Sequence, residues 1–199
     1  MTTIVTVRHA ATAHNARQVI TGRLDEPLSD EGRRAAAELR GLGILPYADH
    51  VIASPMSRAI ETAELITGWP RVRLELDDRC VERDYGELQG VPREAMSAIT
   101  DHIHYVEIGG IKHSLDPPGG ESFESVRRRA DEFASDLRAR SGTAIVVTHQ
   151  VFLQQLHGAL QGLGTYAALA ADIKSLQVTE FSRDGVRVLH PGLGHHASW

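Results

Sequence analysis

Two histidines in this chain stand directly behind short apolar runs. His9 follows residues 4–7 with Arg8 between, and His149 follows residues 144–148. An imidazole can serve as nucleophile or proton carrier near neutral pH. A third apolar run, residues 51–53, ends at Ser54, and Arg58 lies one turn into the segment that follows. Guanidiniums are planar forks of fixed charge that match phosphate oxygens. If these runs are neighbouring parallel strands, Arg8, His9, Arg58 and His149 emerge at one edge as a phosphate-handling pocket, and nearby helix N-termini add N–H donors. Each residue alone has a plainer reading. A histidine behind a strand is more often a satisfied core or rim residue, and an arginine on a helix is usually a solvated charge. Spacing by itself leaves both readings open.

The elements that would position these residues are legible as hydrophobic patterns. Residues 31–42 read as a helix with Ala35, Leu39 and Leu42 on one face. Ser54-Pro55 reads as an N-cap serine with proline at the first helical position. Met56, Ala59, Ile60, Ala63 and Ile66 then recur at helical spacing. Residues 68–120 are less regular, with a helix expected from Pro92 to about Val106. Residues 121–140 form an amphipathic helix, with Phe123, Val126, Ala130, Phe133 and Leu137 sharing a face. Residues 144–148 read as a buried strand, followed by a helix to about Leu160. Residues 176–181 and 186–189 flank Asp184-Gly185, a hairpin signal. The alternation predicts an α/β fold of three layers, α/β/α, with a mainly parallel sheet, helices on both faces and an antiparallel edge. Ligands of such sheets bind beyond the carboxyl ends of the strands.

Composition narrows the function. The chain has 199 residues, 42% hydrophobic and 24% charged, which suits one packed domain rather than a disordered chain. A net charge of −5 argues against a nucleic-acid partner. No signal peptide and no 18-residue apolar run is evident, so no membrane association and a cytoplasmic location are expected. The single cysteine, Cys80, excludes an internal disulfide and fits a reducing compartment.

Six segments in order carry a resemblance. Arg8-His9-Ala10-Ala11-Thr12, with Asn15 beyond, resembles the Arg-His-Gly signature of the histidine phosphatase superfamily, which is phosphoglycerate mutase-like. Gly22 to Ser29 and Gly32 look like the loop leading into that family's first long helix. Ser54-Pro55-Met56-Ser57-Arg58-Ala59 resembles its second signature, and Glu82 to Gly90 its acid-bearing segment. Pro118-Gly119-Gly120-Glu121-Ser122 resembles the start of its next helix, and Val146-Val147-Thr148-His149 its last signature. Together they cover about residues 4–160.

The resemblance implies a metal-independent phosphomonoester hydrolase acting on a small phosphorylated metabolite. His9 would be the nucleophile and form a phosphohistidine. Arg8, Asn15, Arg58 and His149 would hold the phosphoryl oxygens. Glu82 would protonate the leaving oxygen and then activate water, for which a raised pKa is needed and the incoming phosphate would help supply it. Thr21, Gly22, Arg83, Tyr85 and Gln150 are candidate substrate contacts. Two positions depart from the pattern: Ala10 stands where glycine is usual, and Gln150 where a second glycine is usual, so substrate specificity is the property in doubt. No cofactor is implied.

The mutase-type members resemble this chain but carry a longer insertion, whereas Gly90 to Gly120 here leaves only about 30 residues to cap the pocket. A short cap over about residues 91–118 favours water as acceptor. A mutase and a non-catalytic phosphate-ester binder stand as alternatives. The cap holds His102, His104, Tyr105, Lys112 and His113 but no basic cluster, which favours a monophosphate. Cys80 lacks an arginine six positions on, so a cysteine phosphatase is set aside, and there is no P-loop or Gly-x-Ser-x-Gly. His102, His104, His195 and His196 lack the spacing of a metal site. Arg127-Arg128-Arg129 reads as a solvated helix face, and the C-terminal hairpin as a possible homodimer edge.

Overall fold

The computed structural model describes residues 2–99 and 103–193. The helices are α1 (Ala13–Ala16), α2 (Asp30–Gly41), α3 (Ser57–Thr67), α4 (Phe123–Ala139), α5 (Gln150–Gln161) and α6 (Thr165–Ala168). The strands are β1 (Thr3–Arg8), β2 (His50–Ala53), β3 (Glu75–Leu76), β4 (Tyr105–Ile108), β5 (Ile111–Ser114), β6 (Thr143–Thr148), β7 (Ser175–Ser182) and β8 (Gly185–Leu193). A six-stranded sheet runs in the order β3-β2-β6-β1-β7-β8. Its first four strands are parallel, and β7 and β8 close it as an antiparallel edge. The expected α/β architecture is therefore present. Among the described residues no helix is long and apolar enough to cross a membrane.

The layering follows from strand alternation. Along β6, Ala144 and Val146 face one helical layer while Ile145 and Val147 face the other. The first layer is α4 and α5, which bury Phe133, Leu137, Phe152 and Leu156. The second is α2 and α3, which bury Ala36, Leu39, Ile60 and Ile66. A smaller cluster of Ile20, Leu88, Met96 and Ile103 lies apart from both.

Two local expectations are corrected. Ser54 does not cap the helix after β2: α3 begins at Ser57 with Met56 at the N-cap and no side-chain cap bond. Asp25 Oδ1 instead accepts from the Ser57 N–H at 2.8 Å, a cap supplied across the fold. The described residues of the span 92–106 do not form an α-helix. Arg93–Ile99 is a 3₁₀ turn, and Tyr105–Ile108 pairs antiparallel with Ile111–Ser114. Gly109 and Gly110 connect those strands with φ of +62° and +76°. Such a turn needs residues free of a Cβ clash, and it overrides the helical pattern.

Candidate active site

The parallel register of β1 on β6 pairs Arg8 with Thr148, so His9 and His149 leave the sheet side by side. Their ring centroids lie 5.1 Å apart. A cavity of about 470 Å³ opens there, lined by Arg8, His9, Asn15, Arg58 and Glu82 among others. Segments distant in sequence thus meet at the carboxyl edge of the sheet, the place where α/β sheets bind ligands.

His9 is built to be a neutral base. Its Nδ1 lies 2.7 Å from the Ala10 carbonyl, which can only accept, so Nδ1 carries the proton and Nε2 keeps its lone pair. Burial, then the charges of Arg58 and Arg8, hold its pKa well below the ordinary 6.5. The main chain around it is pinned: the Thr62 hydroxyl accepts from the Ala10 N–H at 3.0 Å, and the Ser175 hydroxyl donates to the His9 carbonyl at 3.0 Å.

Arg58 is almost wholly buried, at 1% exposure. It donates to the Leu24 carbonyl at 2.9 Å, the Gly22 carbonyl at 2.8 Å and His149 Nδ1 at 3.2 Å. Arg8 donates to the Ile173 carbonyl at 2.7 Å, and its Nε is buried with no protein partner. Burial lowers the Arg8 pKa to about 10, still charged at neutral pH. Asn15 sits in the first turn of α1, where its Oδ1 accepts from the Thr12 N–H at 3.1 Å in a capping box. That fixes the amide and leaves Nδ2 as the donor.

His149 is fully buried and is not on the cavity wall. Its Nδ1 accepts from Arg58, so Nε2 bears the proton and donates to the Ser54 hydroxyl at 2.8 Å. This is why Ser54 is absent from the helix cap: its hydroxyl orients an imidazole instead. Glu82 lies at the N-terminus of α5. Its Oε1 accepts from the Arg83 N–H at 2.9 Å and the Phe152 N–H at 3.2 Å, and its Oε2 from the Val151 N–H at 3.3 Å.

Thr21, Gly22, Tyr85 and Gln150 line the cavity. Arg83 also borders it, but its guanidinium is engaged elsewhere. It donates to the carbonyls of Glu121 and Ser114 at 2.7 Å and of Leu115 at 3.0 Å, and lies 3.7 Å over the Phe123 ring. Its visible work is to tie the acid-bearing segment to the end of β5. His113 packs edge-on against Phe123, and burial lowers its pKa to about 4. His104 pairs with Asp116 at 2.7 Å on the surface, while His102, His195 and His196 lie outside the described residues. Among the described residues no group of three or more His, Cys, Asp or Glu could hold a metal. Cys80 is buried, which pushes its thiol pKa up.

Sequence reasoning missed several wall residues. Arg93, Gln154, Asp172 and Lys174 line the cavity together with Lys112. Arg93, Gln154, Asp172 and Lys174 belong to none of the motifs, and although Gln154 stands on a helix that the pattern marked, nothing in the sequence singled out any of the four as wall residues. The loop before β7 thus adds one basic group, Lys174, and one acidic group, Asp172, to the Arg93 and Lys112 that the cap segment brings to the wall. The run Arg127-Arg128-Arg129 is also more than a solvated face, because the Arg129 side chain is only 13% exposed and binds main-chain carbonyls.

A mainly parallel α/β sheet with two histidines, two arginines and a carboxylate at one edge defines a protein that handles phosphate esters through an imidazole. Comparison with known proteins places that class. The profile of the histidine phosphatase superfamily (branch 1) matches residues 4–192, and the chain belongs to that superfamily. It is 31% identical over 189 residues to the 2,3-bisphosphoglycerate-dependent phosphoglycerate mutase of Rhizobium etli, covering 86% of each chain. It is 30% identical to phosphoserine phosphatase 1 of Hydrogenobacter thermophilus, covering 82% of this chain and 78% of the relative. The structure of YhfR from Bacillus stearothermophilus superposes with a TM-score of 0.78 at 26% identity, over 98% of this chain and 99% of the other.

Proposed function

We propose that the protein hydrolyses a small phosphomonoester without a metal, through a phosphohistidine at His9. The observation that carries this reading is the state of His9: a proton fixed on Nδ1, and a pKa depressed by burial and two guanidiniums. Nε2 attacks phosphorus as the bond to the leaving oxygen breaks. Glu82 gives its proton to that oxygen, then takes one from the water that attacks the phosphohistidine, releasing inorganic phosphate. Arg8, Arg58 and the Asn15 amide neutralise and orient the transferring group, which is most of what a protein can contribute to phosphoryl transfer. His149 supports Arg58 by accepting from its Nε. To donate to a phosphoryl oxygen it would release Arg58 Nε and carry its proton on Nδ1, which the Ser54 hydroxyl permits because it both donates and accepts.

The cavity wall carries Arg93, Lys112 and Lys174 against Asp172, which favours a polar leaving group with negative charge over a plain alkyl one. One observation favours a mutase instead: the Rhizobium relative bears that name at 31% identity. Phosphate release from a panel of phosphomonoesters in excess EDTA separates these readings. Wild type should release phosphate, and His9→Ala should lose at least about a thousandfold in rate, since the covalent route disappears. Interconversion of phosphoglycerates with no phosphate release would favour the mutase, and turnover surviving in His9→Ala would sink the phosphohistidine.

A further inference from the structure

Glu82 is held from outside the cavity by a charged brace. Arg129, on the second turn of α4, meets Glu121 fork to fork: Nε donates to Oε1 at 3.0 Å and Nη2 to Oε2 at 3.0 Å. The same guanidinium donates through Nη1 to the Val81 carbonyl at 2.6 Å and to the Arg79 carbonyl at 2.5 Å. Glu121 holds the other side of the acid, because its Oε2 accepts from the Asp84 N–H at 3.4 Å and its own N–H donates to the Asp84 carbonyl at 2.9 Å. Arg23 completes the frame, donating to Glu121 Oε2 at 3.2 Å and to the Glu82 carbonyl at 3.3 Å. Main-chain atoms on both sides of Glu82 are therefore fixed by one pair, whose side chains are 13% and 11% exposed. Neither Arg129 nor Glu121 lines the cavity. Burial pushes the Glu121 carboxyl up, but the Arg129 contacts bring it net below the usual carboxylate range, so the carboxylate is ionised.

From this geometry we infer that Glu121 and Arg129 are positioning residues for the acid–base carboxylate of Glu82. The inference rests on the hydrolase reading above. The brace holds the main chain on either side of the acid and does not reach the nucleophile, so its loss falls on steps that move a proton. A planar fork against a carboxylate fixes orientation as well as distance, and small misplacements of a catalytic group are expensive in rate. A merely structural pair would lower all activities alike.

Leaving-group dependence tells the two apart. Rapid-quench formation of phosphohistidine is measured with 2,4-dinitrophenyl phosphate, whose leaving oxygen needs no proton, and with glycerol 2-phosphate, whose leaving oxygen does. In Glu121→Gln, phosphorylation by the glycerol ester should fall by about tenfold or more, part of the 10²–10⁴ a general acid supplies, while the dinitrophenyl ester stays within about threefold of wild type. Breakdown of the phosphohistidine should slow in parallel. Arg129→Lys keeps the charge but loses the fork, and should show the same split with less disturbance to folding. An equal fall on both esters, or no fall on either, in folded variants overturns the inference. Wild type that forms no phosphohistidine from either ester instead overturns the hydrolase reading, and the inference with it.

Discussion

At the scale of single residues, the site works by protonation states that the fold imposes. A free imidazole loses its nucleophilic form as pH falls through about 6.5. His9 is depressed well below that by burial, Arg58 and Arg8, so it remains neutral in mildly acidic solution. A base with a lowered pKa keeps its lone pair down to that lower value. The rate of His9 phosphorylation by an aryl ester with a good leaving group should therefore stay nearly level from about pH 7.5 to about pH 5.5. An unperturbed histidine would lose about tenfold over that range, and such a loss in single-turnover kinetics would refute the electrostatic account. The carboxylate is set up differently, since its three N–H donors come from the backbone of Arg83 and the first turn of α5. Replacing Glu82 by Gln keeps the shape and removes the proton traffic. Turnover of alkyl esters should fall by about 10²–10⁴ while phosphate affinity persists, which steady-state kinetics and phosphate competition would report.

At the scale of elements, close backbone approaches hold the loop after β1 in place. Gly32 lies in the first turn of α2 at the point where the Ala11 carbonyl passes, and an added Cβ would come within 2.1 Å of that oxygen. The same carbonyl accepts from the Ser29 N–H at 3.0 Å and the Ser29 hydroxyl at 3.2 Å. Backbone cannot yield as a flexible side chain can. Gly32→Ala should therefore cost about 1–3 kcal/mol by overpacking, read as a lowered urea midpoint with unchanged slope. Because the displaced strand-end carries Ala10 and Ala11, phosphate binding should weaken as well. Gly41 is the built-in comparison, since a Cβ there meets nothing within 4 Å and Gly41→Ala should leave the midpoint unchanged or raised.

At the scale of the whole molecule, buried histidines make stability depend on pH. His9 and His149 are held well below 6.5, chiefly by burial, and His113 and His157 are lowered to about 4. The unfolded chain takes up protons near pH 6.5 that the native state refuses. Stability is thus full above about pH 6.5 and lost as pH falls toward the native values, at about 1.4 kcal/mol per pH unit for each such group. Urea unfolding at descending pH should show this slope in the window between 6.5 and 4, before most carboxylates titrate. His157→Gln removes one of these protons, and the slope should ease by one proton's worth. An unchanged slope would mean that His157 titrates normally in the folded protein. His157 suits the test because it sits 2.8 Å from the Thr6 hydroxyl within the core and does not line the cavity.

The sequence by itself determined the parts that depend on local pattern. Hydrophobic alternation and period marked α2, α4, α5, β1, β6 and the β7–β8 hairpin, because each buries a regular face against the same core. The convergence of Arg8, His9, Arg58 and His149 was legible because they follow apolar runs whose carboxyl ends bind ligands, whereas Glu82 was marked only by resemblance to a family segment. Tertiary structure decided what long-range contacts supply. The helix expected at residues 92–106 gave way to a hairpin because two glycines with positive φ close it. Ser54 left its cap because the His149 imidazole, 95 residues further along the chain at the start of α5, needed a partner. Arg129 looked solvated from its neighbours in sequence, yet folding lays Val81 and Glu121 against it. Arg93, Asp172 and Lys174 became cavity wall only when loops without periodicity were carried to the sheet edge. Periodicity reports which face of an element is buried; which partner meets that face, and which polar groups fill the remaining gaps, is fixed by packing between segments distant in the chain.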